Sequence, residues 1–203
     1  MAKWHGFGRC KTRLAKDIGK SNSAKVQSVM TNHTIAVARS LQKIKLVDIS
    51  IAISGLGEKN CRRWSKELGI KKFHLQGKGC LGEKMKRQII INKKYCNQNK
   101  IKNIIFIGTD LPDLCHLDLL NTIRELKQND LILGPSNDGG YWLIGLSAKI
   151  ISNYMHVPFI NIRWSKENVL QNTIDNFAST KLKYNFLDKK IDLDTIIDNE
   201  NRK

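Results

Sequence analysis

Apolar and polar positions along the chain follow two periods, one typical of buried strands and one typical of amphipathic helices. Residues 103–108 are almost continuously apolar, which is the pattern of a strand covered on both faces. Shorter apolar runs predict further strands at residues 47–54, 130–134, 141–146 and 182–186. Helical spacing predicts helices over residues 24–43, 81–96 and 116–128, and Ser165 is placed to cap a helix that reaches Ala178.

This alternation of strands and helices indicates an α/β fold with a parallel or mostly parallel sheet and helices on both faces. No internal repeat or Pro-, Gly- or Ser-rich linker divides the sequence, so we expect a single domain over residues 1–203. Such a fold normally opens with a full apolar strand, whereas only Met1 and Ala2 precede Lys3. We therefore expect the first strand to be truncated or to begin upstream.

Composition excludes several classes of protein. Hydrophobic residues make up 41% of the chain and charged residues 26%, and no apolar run approaches the length of a membrane span. The N-terminus lacks the apolar segment of a signal peptide, which leads us to expect a cytoplasmic location. The five cysteines form no C-x-x-C pair, so we expect reduced thiols and no structural zinc site or disulfide framework.

The charge is unevenly distributed. The chain has a formal net charge of +17, and residues 1–100 hold 23 of its 35 Lys and Arg but only 5 of its 18 Asp and Glu. A nucleic-acid or phosphate partner is one explanation, and the Lys-, Ile- and Asn-rich composition of an AT-rich genome is another. We therefore keep a narrower hypothesis, that a few particular basic residues bind phosphate.

A glycine-containing basic loop near the N-terminus is the first candidate for such binding. Gly6 and Gly8 allow close approach of the backbone to a ligand, and Arg9, Lys11 and Arg13 supply three cations within five residues. The segment is not a P-loop, because Cys10 stands where that motif needs glycine. A solvated basic loop is the alternative reading.

Two acidic turns follow predicted strands. Asp110 comes directly after the apolar strand, at the end where open α/β sheets bind ligands, and Asp138 lies in a Gly-rich turn before Tyr141. Together, two such carboxylates facing a basic loop are the oxygen ligands that hold Mg²⁺ or Mn²⁺ against a diphosphate. Taken singly, Asp110 is also a plausible helix cap and Asp138 a plain turn residue.

A weaker feature is the glycine-bearing loop over residues 76–85, which opens a predicted helix whose N-terminus can accept an anion. With these motifs in order, the sequence resembles a bacterial family of glycosyltransferase-A-fold proteins of unknown function, related to nucleotide-diphospho-sugar transferases. Some members are assigned to arsenosugar biosynthesis as glycosyltransferases. The matching segments span nearly the whole chain: residues 6–14, 76–85, 108–114, 134–146, 163–165 and 192–195.

The resemblance implies a Rossmann-like three-layer α/β sandwich of the glycosyltransferase-A type, with a mostly parallel mixed sheet. It also implies the roles of individual residues. Asp110 and Asp138 resemble the catalytic and metal-binding aspartates. The implied nucleotide or phosphate contacts are Gly6, Gly8, Lys11, Thr12, Arg13, Gln76 and Gly82. The implied sugar or acceptor contacts are Gly139, Gly140, Tyr141 and Trp164.

The implied function is metal-dependent transfer of a sugar from a nucleotide-diphospho-sugar to a small hydroxyl acceptor, with Mg²⁺ or Mn²⁺ as cofactor. Nucleotidyl transfer is the nearest alternative, because the same loops resemble the guanylyltransferases of molybdenum-cofactor and coenzyme F420 biosynthesis. A basic nucleotide- or nucleic-acid-binding module is the non-enzymatic alternative. The sequence departs from the family pattern at His5, Cys80 and Lys84, where proline, aspartate and arginine are usual.

Overall fold

The computed structural model describes residues 1–95, 102–164, 166–195 and 198. The chain groups into two compact units, each with its own sheet. Unit 1 comprises residues 1–76 and 108–116 together with the described residues from 191 onward, and unit 2 comprises the described residues of 77–107 and 117–190. The expectation of one domain over the whole chain stays a prediction.

Unit 1 is built on a three-stranded parallel sheet. Its strands are β1 (Ala2–Lys3), β2 (Ser50–Ser54) and β3 (Lys72–Leu75), in the order β1-β2-β3. Two helices connect them, α1 (Leu14–Lys43) and α2 (Glu58–Glu67), and α1 is interrupted at Gly19, whose φ is 81°. Parallel strands need such crossover helices, because a tight turn can only join antiparallel neighbours.

The core of unit 1 lies between its sheet and its helices. Ile51 and Ile53 of β2 pack in one cluster with Ile35 of α1 and with Cys61 and Trp64 of α2. Cys61 and Trp64 stand three residues apart and therefore share one face of α2, while the rest of that helix is largely charged. A helix with so little apolar surface depends on this buried Trp for its attachment.

Unit 2 has a mixed four-stranded sheet with the order β4-β6-β5-β7. The central strand β6 is antiparallel to β4 and β5, whereas β7 is parallel to β5. The strands are β4 (Ile104–Ile107), β5 (Leu131–Pro135), β6 (Tyr141–Leu146) and β7 (Tyr184–Phe186). The helices are α3 (Leu81–Tyr95), α4 (His116–Glu125), α5 (Ala148–Asn153) and α6 (Val169–Ala178), and Val157–Phe159 form a 3₁₀ turn.

Strand β5 shows why these residues form a central strand. Leu131, Ile132 and Leu133 are consecutive and have no exposed surface, so both faces of the strand are covered. The predicted α/β class is confirmed, with one all-parallel and one mixed sheet. Among the residues that the structure describes, no helix combines the length and the apolar composition needed to cross a bilayer.

Several boundaries differ from those that the sequence pattern predicts. Helix α1 begins at Leu14, ten residues before the predicted helix start at residue 24. Gly19 and the polar residues around it interrupt the amphipathic pattern in this first part of the helix. Helix α2, strand β3, helix α5 and the 3₁₀ turn were not predicted, because each is short or carries few apolar residues. Helix α6 begins at Val169, and the predicted cap Ser165 and the predicted end of α3 at Cys96 lie outside the described residues.

Candidate functional site

The basic loop between β1 and α1 folds back on itself. The carbonyl oxygen of Gly6 accepts a hydrogen bond of 2.9 Å from the Arg9 amide and a longer one from the Cys10 thiol. A Cβ added at Gly6 would lie 2.5 Å from a ring carbon of Trp4, so only glycine fits beside that indole. Gly8 has a φ of 67°, which favours glycine. Both predicted glycines therefore have an architectural reason to be present.

Lys11 has an unusual backbone and an unusual side chain. Its φ of 42° lies in the left-handed region, which costs a lysine on the order of 1–3 kcal/mol and persists only where the surrounding structure fixes it. The ammonium Nζ lies 2.7 Å from Asp110 Oδ1 and donates a hydrogen bond of 2.7 Å to the Leu193 carbonyl oxygen. Only 2% of the Lys11 side chain is exposed. The predicted diphosphate contact of Lys11 stays a prediction.

One carboxylate oxygen of Asp110 is buried, whereas the rest of its side chain is partly exposed. Oδ1 is buried and, among the described residues, receives no hydrogen bond of standard geometry, so the Lys11 ion pair is what balances its charge. The side chain as a whole is nevertheless 43% exposed. The exposed surface therefore belongs to its remaining atoms, and a carboxylate with one oxygen neutralised and one side open is suited to bind a cation.

The segment that carries Asp110 is anchored within unit 1. The buried Gln27 amide of α1 donates a hydrogen bond of 3.1 Å to the Thr109 hydroxyl, and His33 Nε2 lies 2.9 Å from the Leu114 carbonyl oxygen. The Leu193 amide donates a hydrogen bond of 2.9 Å to the Asp110 carbonyl oxygen. Side chains of α1 and the backbone of the C-terminal segment thus fix the loop on both sides of Asp110.

A second carboxylate, Asp194, interacts electrostatically with Asp110. Burial raises the pKa of Asp194, Asp110 and Asp198 raise it further, and the Lys11 and Arg13 cations oppose that rise. Arg13 Nη1 lies 3.4 Å from Asp194 Oδ2, with 74% of the Arg13 side chain exposed. The matching segment 192–195 is the sequence signal for Asp194, which is not among the residues whose roles the resemblance implies. Thr12, between the two basic residues, is exposed.

The predicted Asp138 turn lies in unit 2 and is closed by hydrogen bonds within itself. Asp138 Oδ1 accepts hydrogen bonds from the Ser136 hydroxyl at 2.5 Å and from the Gly140 amide at 3.0 Å. Gly139 has a φ of 81°, and a Cβ there would lie 1.7 Å from the Glu167 carbonyl oxygen. Asp138 Oδ1 and both glycines therefore build the turn, and their predicted contacts with metal and sugar stay predictions.

Three other predicted residues meet in one cluster of unit 2. A Cβ at Gly82 would lie 2.5 Å from the indole ring of Trp164, and the Trp164 ring packs edge-on against Tyr141 with centroids 6.4 Å apart. Phe159 lies on another side of the indole, and Lys86 lies above the Phe159 ring. The Tyr141 hydroxyl is buried and burial raises its pKa, and the predicted sugar or acceptor contacts of Tyr141 and Trp164 stay predictions.

Gln76 is a buried residue of unit 1. Its amide nitrogen donates hydrogen bonds to the carbonyl oxygens of Ala2 and Ala52, at 3.1 and 3.0 Å, and thereby joins β1 to β2. Its side chain is 6% exposed. Its predicted part in lining the nucleotide stays a prediction. Cys80 is exposed, and its amide donates to Glu83, which lowers the pKa of that carboxyl and caps α3.

The carboxylates of Asp110 and Asp194 can contribute ligands to a divalent cation but do not enclose one. Among the described residues, no three His, Cys, Asp or Glu side chains form a group that would enclose a metal. Mg²⁺ does not need such a group, since it is usually held by one or two carboxylates together with substrate phosphates and water. Asp110 and Asp194 provide hard oxygen donors of this kind, and both side chains are more than 40% exposed.

Comparisons with known proteins identify the family and the fold of the chain. A family model described as "Uncharacterized protein conserved in bacteria (DUF2064)" matches residues 36–166. The structure is similar to that of a "putative nucleotide-diphospho-sugar transferase" from Desulfovibrio desulfuricans G20, with 26% sequence identity and a TM-score of 0.78 over 97% of this chain and 81% of that one. The chain thus has the fold of that protein.

A second solved structure, the homologue of Mycobacterium tuberculosis rv0371c from Mycobacterium sp. strain JC1, is similar in fold alone. It shares 12% identity with a TM-score of 0.53 over 99% of this chain and 92% of that one. A search of the curated proteins gave no match.

Proposed function

We propose that this chain, which belongs to the bacterial DUF2064 family, transfers a sugar from a nucleotide-diphospho-sugar to a small hydroxyl acceptor, assisted by a divalent cation. The observation that carries the proposal is the arrangement around Asp110, where a half-exposed carboxylate, a second carboxylate and an exposed guanidinium meet within unit 1. Likeness to the Desulfovibrio protein, which is described as a nucleotide-diphospho-sugar transferase by inference, supports the choice of donor.

We assign the cation to Asp110 and Asp194. When bound, Mg²⁺ or Mn²⁺ would neutralise the charge that develops on the departing nucleoside diphosphate. Arg13 is suited to the same charge, because its guanidinium is 74% exposed and donates in a planar fork that matches phosphate oxygens. The side chain of its present partner Asp194 is 45% exposed. Solvent-exposed ion pairs contribute no more than about 1 kcal/mol, so a phosphate can displace Asp194 from Arg13 at little cost.

The protein's other contribution is to hold these groups still. Hydrogen bonds from Gln27 and Leu193 fix the backbone on either side of Asp110 before any ligand arrives. Groups that are already oriented toward a developing charge stabilise the transition state without paying for reorganisation.

An assay of donor turnover tests the proposal. Purified protein is incubated with nucleotide sugars, small hydroxyl compounds as acceptors and Mn²⁺ or Mg²⁺, and release of nucleoside diphosphate is measured. Losing one charge-assisted contact costs about 1.5–3 kcal/mol, so Arg13→Ala is expected to slow turnover roughly 10- to 100-fold. Asp110→Asn is expected to slow it more, because the cation is lost as well.

The assay also distinguishes the alternative reaction. Pyrophosphate released from a nucleoside triphosphate, with no diphosphate released from any nucleotide sugar, would replace glycosyl transfer by nucleotidyl transfer. Full turnover in Asp110→Asn with metal present would refute the assignment of the site.

A further inference from the structure

The most exceptional residue of the candidate site is Lys11, whose charge is enclosed by protein. A cation that binds a substrate phosphate has to present its charge at an accessible surface. The Lys11 side chain is 2% exposed, whereas that of Arg13, two residues later in the same loop, is 74% exposed. The two cations of this loop therefore have different access to any ligand.

The partners of Lys11 account for its burial. Its ammonium contacts Asp110 Oδ1 and the Leu193 carbonyl oxygen, each at 2.7 Å. These atoms belong to two segments that are separated by about 80 residues in sequence and are joined directly by the hydrogen bond from the Leu193 amide to the Asp110 carbonyl oxygen. One buried cation thus connects the loop of Asp110 to the segment that contains Leu193 and Asp194.

The backbone of Lys11 supports the same interpretation. A lysine adopts a φ of 42° only where its surroundings enforce it, and here the strained residue is the one whose side chain makes both contacts. The strained backbone and the enclosed side chain therefore occur at the same residue, while the Arg13 side chain is exposed.

We propose that Lys11 is a positioning residue, which sets the orientation of Asp110 and of the Leu193–Asp194 segment, and that Arg13 is the phosphate-facing cation of the loop. The part of this that concerns phosphate and metal rests on the proposed function; the coupling of Lys11 to Asp110 does not. These two roles predict that the effect of replacing Lys11 depends on the presence of Asp110, whereas the effect of replacing Arg13 does not.

A double-mutant cycle tests the coupling without any ligand. Urea unfolding is measured for wild type, Lys11→Met, Asp110→Asn and the double variant. Lys11→Met leaves a buried carboxylate oxygen without its cation, so we expect the unfolding constant to rise about 10- to 100-fold. The double variant is expected within about 5-fold of Asp110→Asn alone, because Lys11 then has no charge left to balance. The matched control Arg13→Ala is expected to change the constant less than about 3-fold.

Additive effects in this cycle would overturn the proposal, and so would failure of both Lys11 variants to fold. A Lys11→Met protein that does not fold while the double variant does would support it, since the Asp110 charge would then be the cause of the failure.

Ligand probes test the positioning role itself. We expect Lys11→Met to weaken Mn²⁺ binding at least 5-fold even though a neighbouring positive charge has been removed. A bystander cation would repel the metal, so its removal would tighten binding. With metal absent, Arg13→Ala is expected to weaken binding of inorganic pyrophosphate about 10-fold and Lys11→Met less than 3-fold.

Equal losses of pyrophosphate binding in the two variants, or tighter Mn²⁺ binding in Lys11→Met, would overturn the proposal. Wild-type protein that binds neither probe would count against the proposed function, and the unfolding cycle would still decide the role of Lys11.

Discussion

The two acidic turns of this protein look alike in sequence and differ in structure. Asp110 in unit 1 has its buried oxygen balanced by the Lys11 cation, while the remainder of its side chain is open. Asp138 in unit 2 directs Oδ1 into its own turn, where a hydroxyl and an amide hold it. The charge of Asp110 is thus paired with a buried cation, whereas Asp138 Oδ1 is held by neutral donors that fix its turn.

The comparison shows that the glycines beside Asp138 have architectural reasons to be present. Gly139 is required because Glu167 passes close to it, and Gly140 supplies the amide that Asp138 accepts. Near Asp110 the distinguishing features are a buried lysine, a strained backbone at that lysine and a second carboxylate. Substitutions in the two turns and in the aromatic cluster test this difference between Asp110 and Asp138.

The largest effect is expected from Gly139→Ala, if the Asp138 turn is architectural. The new methyl group meets the Glu167 carbonyl oxygen and the left-handed φ of 81° disfavours alanine, so we expect a loss of about 3 kcal/mol or more in unfolding free energy. Gly57→Ala is the matched control, since that glycine has a φ of −76° and open space around it. Urea unfolding of both variants checks this, and a loss below about 1 kcal/mol for Gly139→Ala would contradict the packing argument.

A smaller effect separates the shape of Asp138 from its charge. Asp138→Ala removes the acceptor of two hydrogen bonds and is expected to cost about 1–2 kcal/mol. Asp138→Asn keeps an acceptor oxygen and is expected to cost less than about 1 kcal/mol. Thermal unfolding of the two variants tests this order, and an equal loss in both would show that the charge itself stabilises the turn.

Gly82→Ala tests the aromatic cluster. The methyl group would lie 2.5 Å from the Trp164 indole, so the ring has to move, while alanine in place of glycine favours helix α3 by roughly 0.5–1 kcal/mol. We expect a small net loss of stability and a clear change in near-ultraviolet circular dichroism. An unchanged spectrum, identical to that of Gly57→Ala, would place the indole elsewhere.

The smallest effect concerns pH. The pKa of Asp194 is raised in the folded protein, chiefly by burial, so the neutral form is favoured on folding. The neutral Asp194 carboxyl therefore adds to the free energy of unfolding below the ordinary carboxyl pKa. This contribution is lost as pH rises through the folded-state pKa. Stability of the wild type relative to Asp194→Asn is therefore expected to fall between acid and neutral pH. Melting temperatures at pH 3 to 7 measure this, and a relative rise would reverse the assigned sign.

Much of the fold was predictable from the sequence, because β4, β5 and β6 are apolar runs and buried strands require such runs. The charged helix α2 was not, since Cys61 and Trp64 alone give too weak a pattern. For the site, the sequence identified Asp110 and Arg13 by motif. It could not show that the Lys11 ammonium is buried or that Gln76 joins two strands, because both depend on contacts between distant segments.

The most direct test of the central claim is a thermal-shift measurement on wild type, Asp110→Asn and Asp138→Asn with nucleotide sugars and Mn²⁺. A ligand at a hundredfold excess over its dissociation constant stabilises the native state by about 2.7 kcal/mol, which is readily measured. We predict metal-dependent stabilisation by a nucleotide sugar that is lost in Asp110→Asn and kept in Asp138→Asn. Stabilisation that survives in Asp110→Asn and disappears in Asp138→Asn would contradict the account.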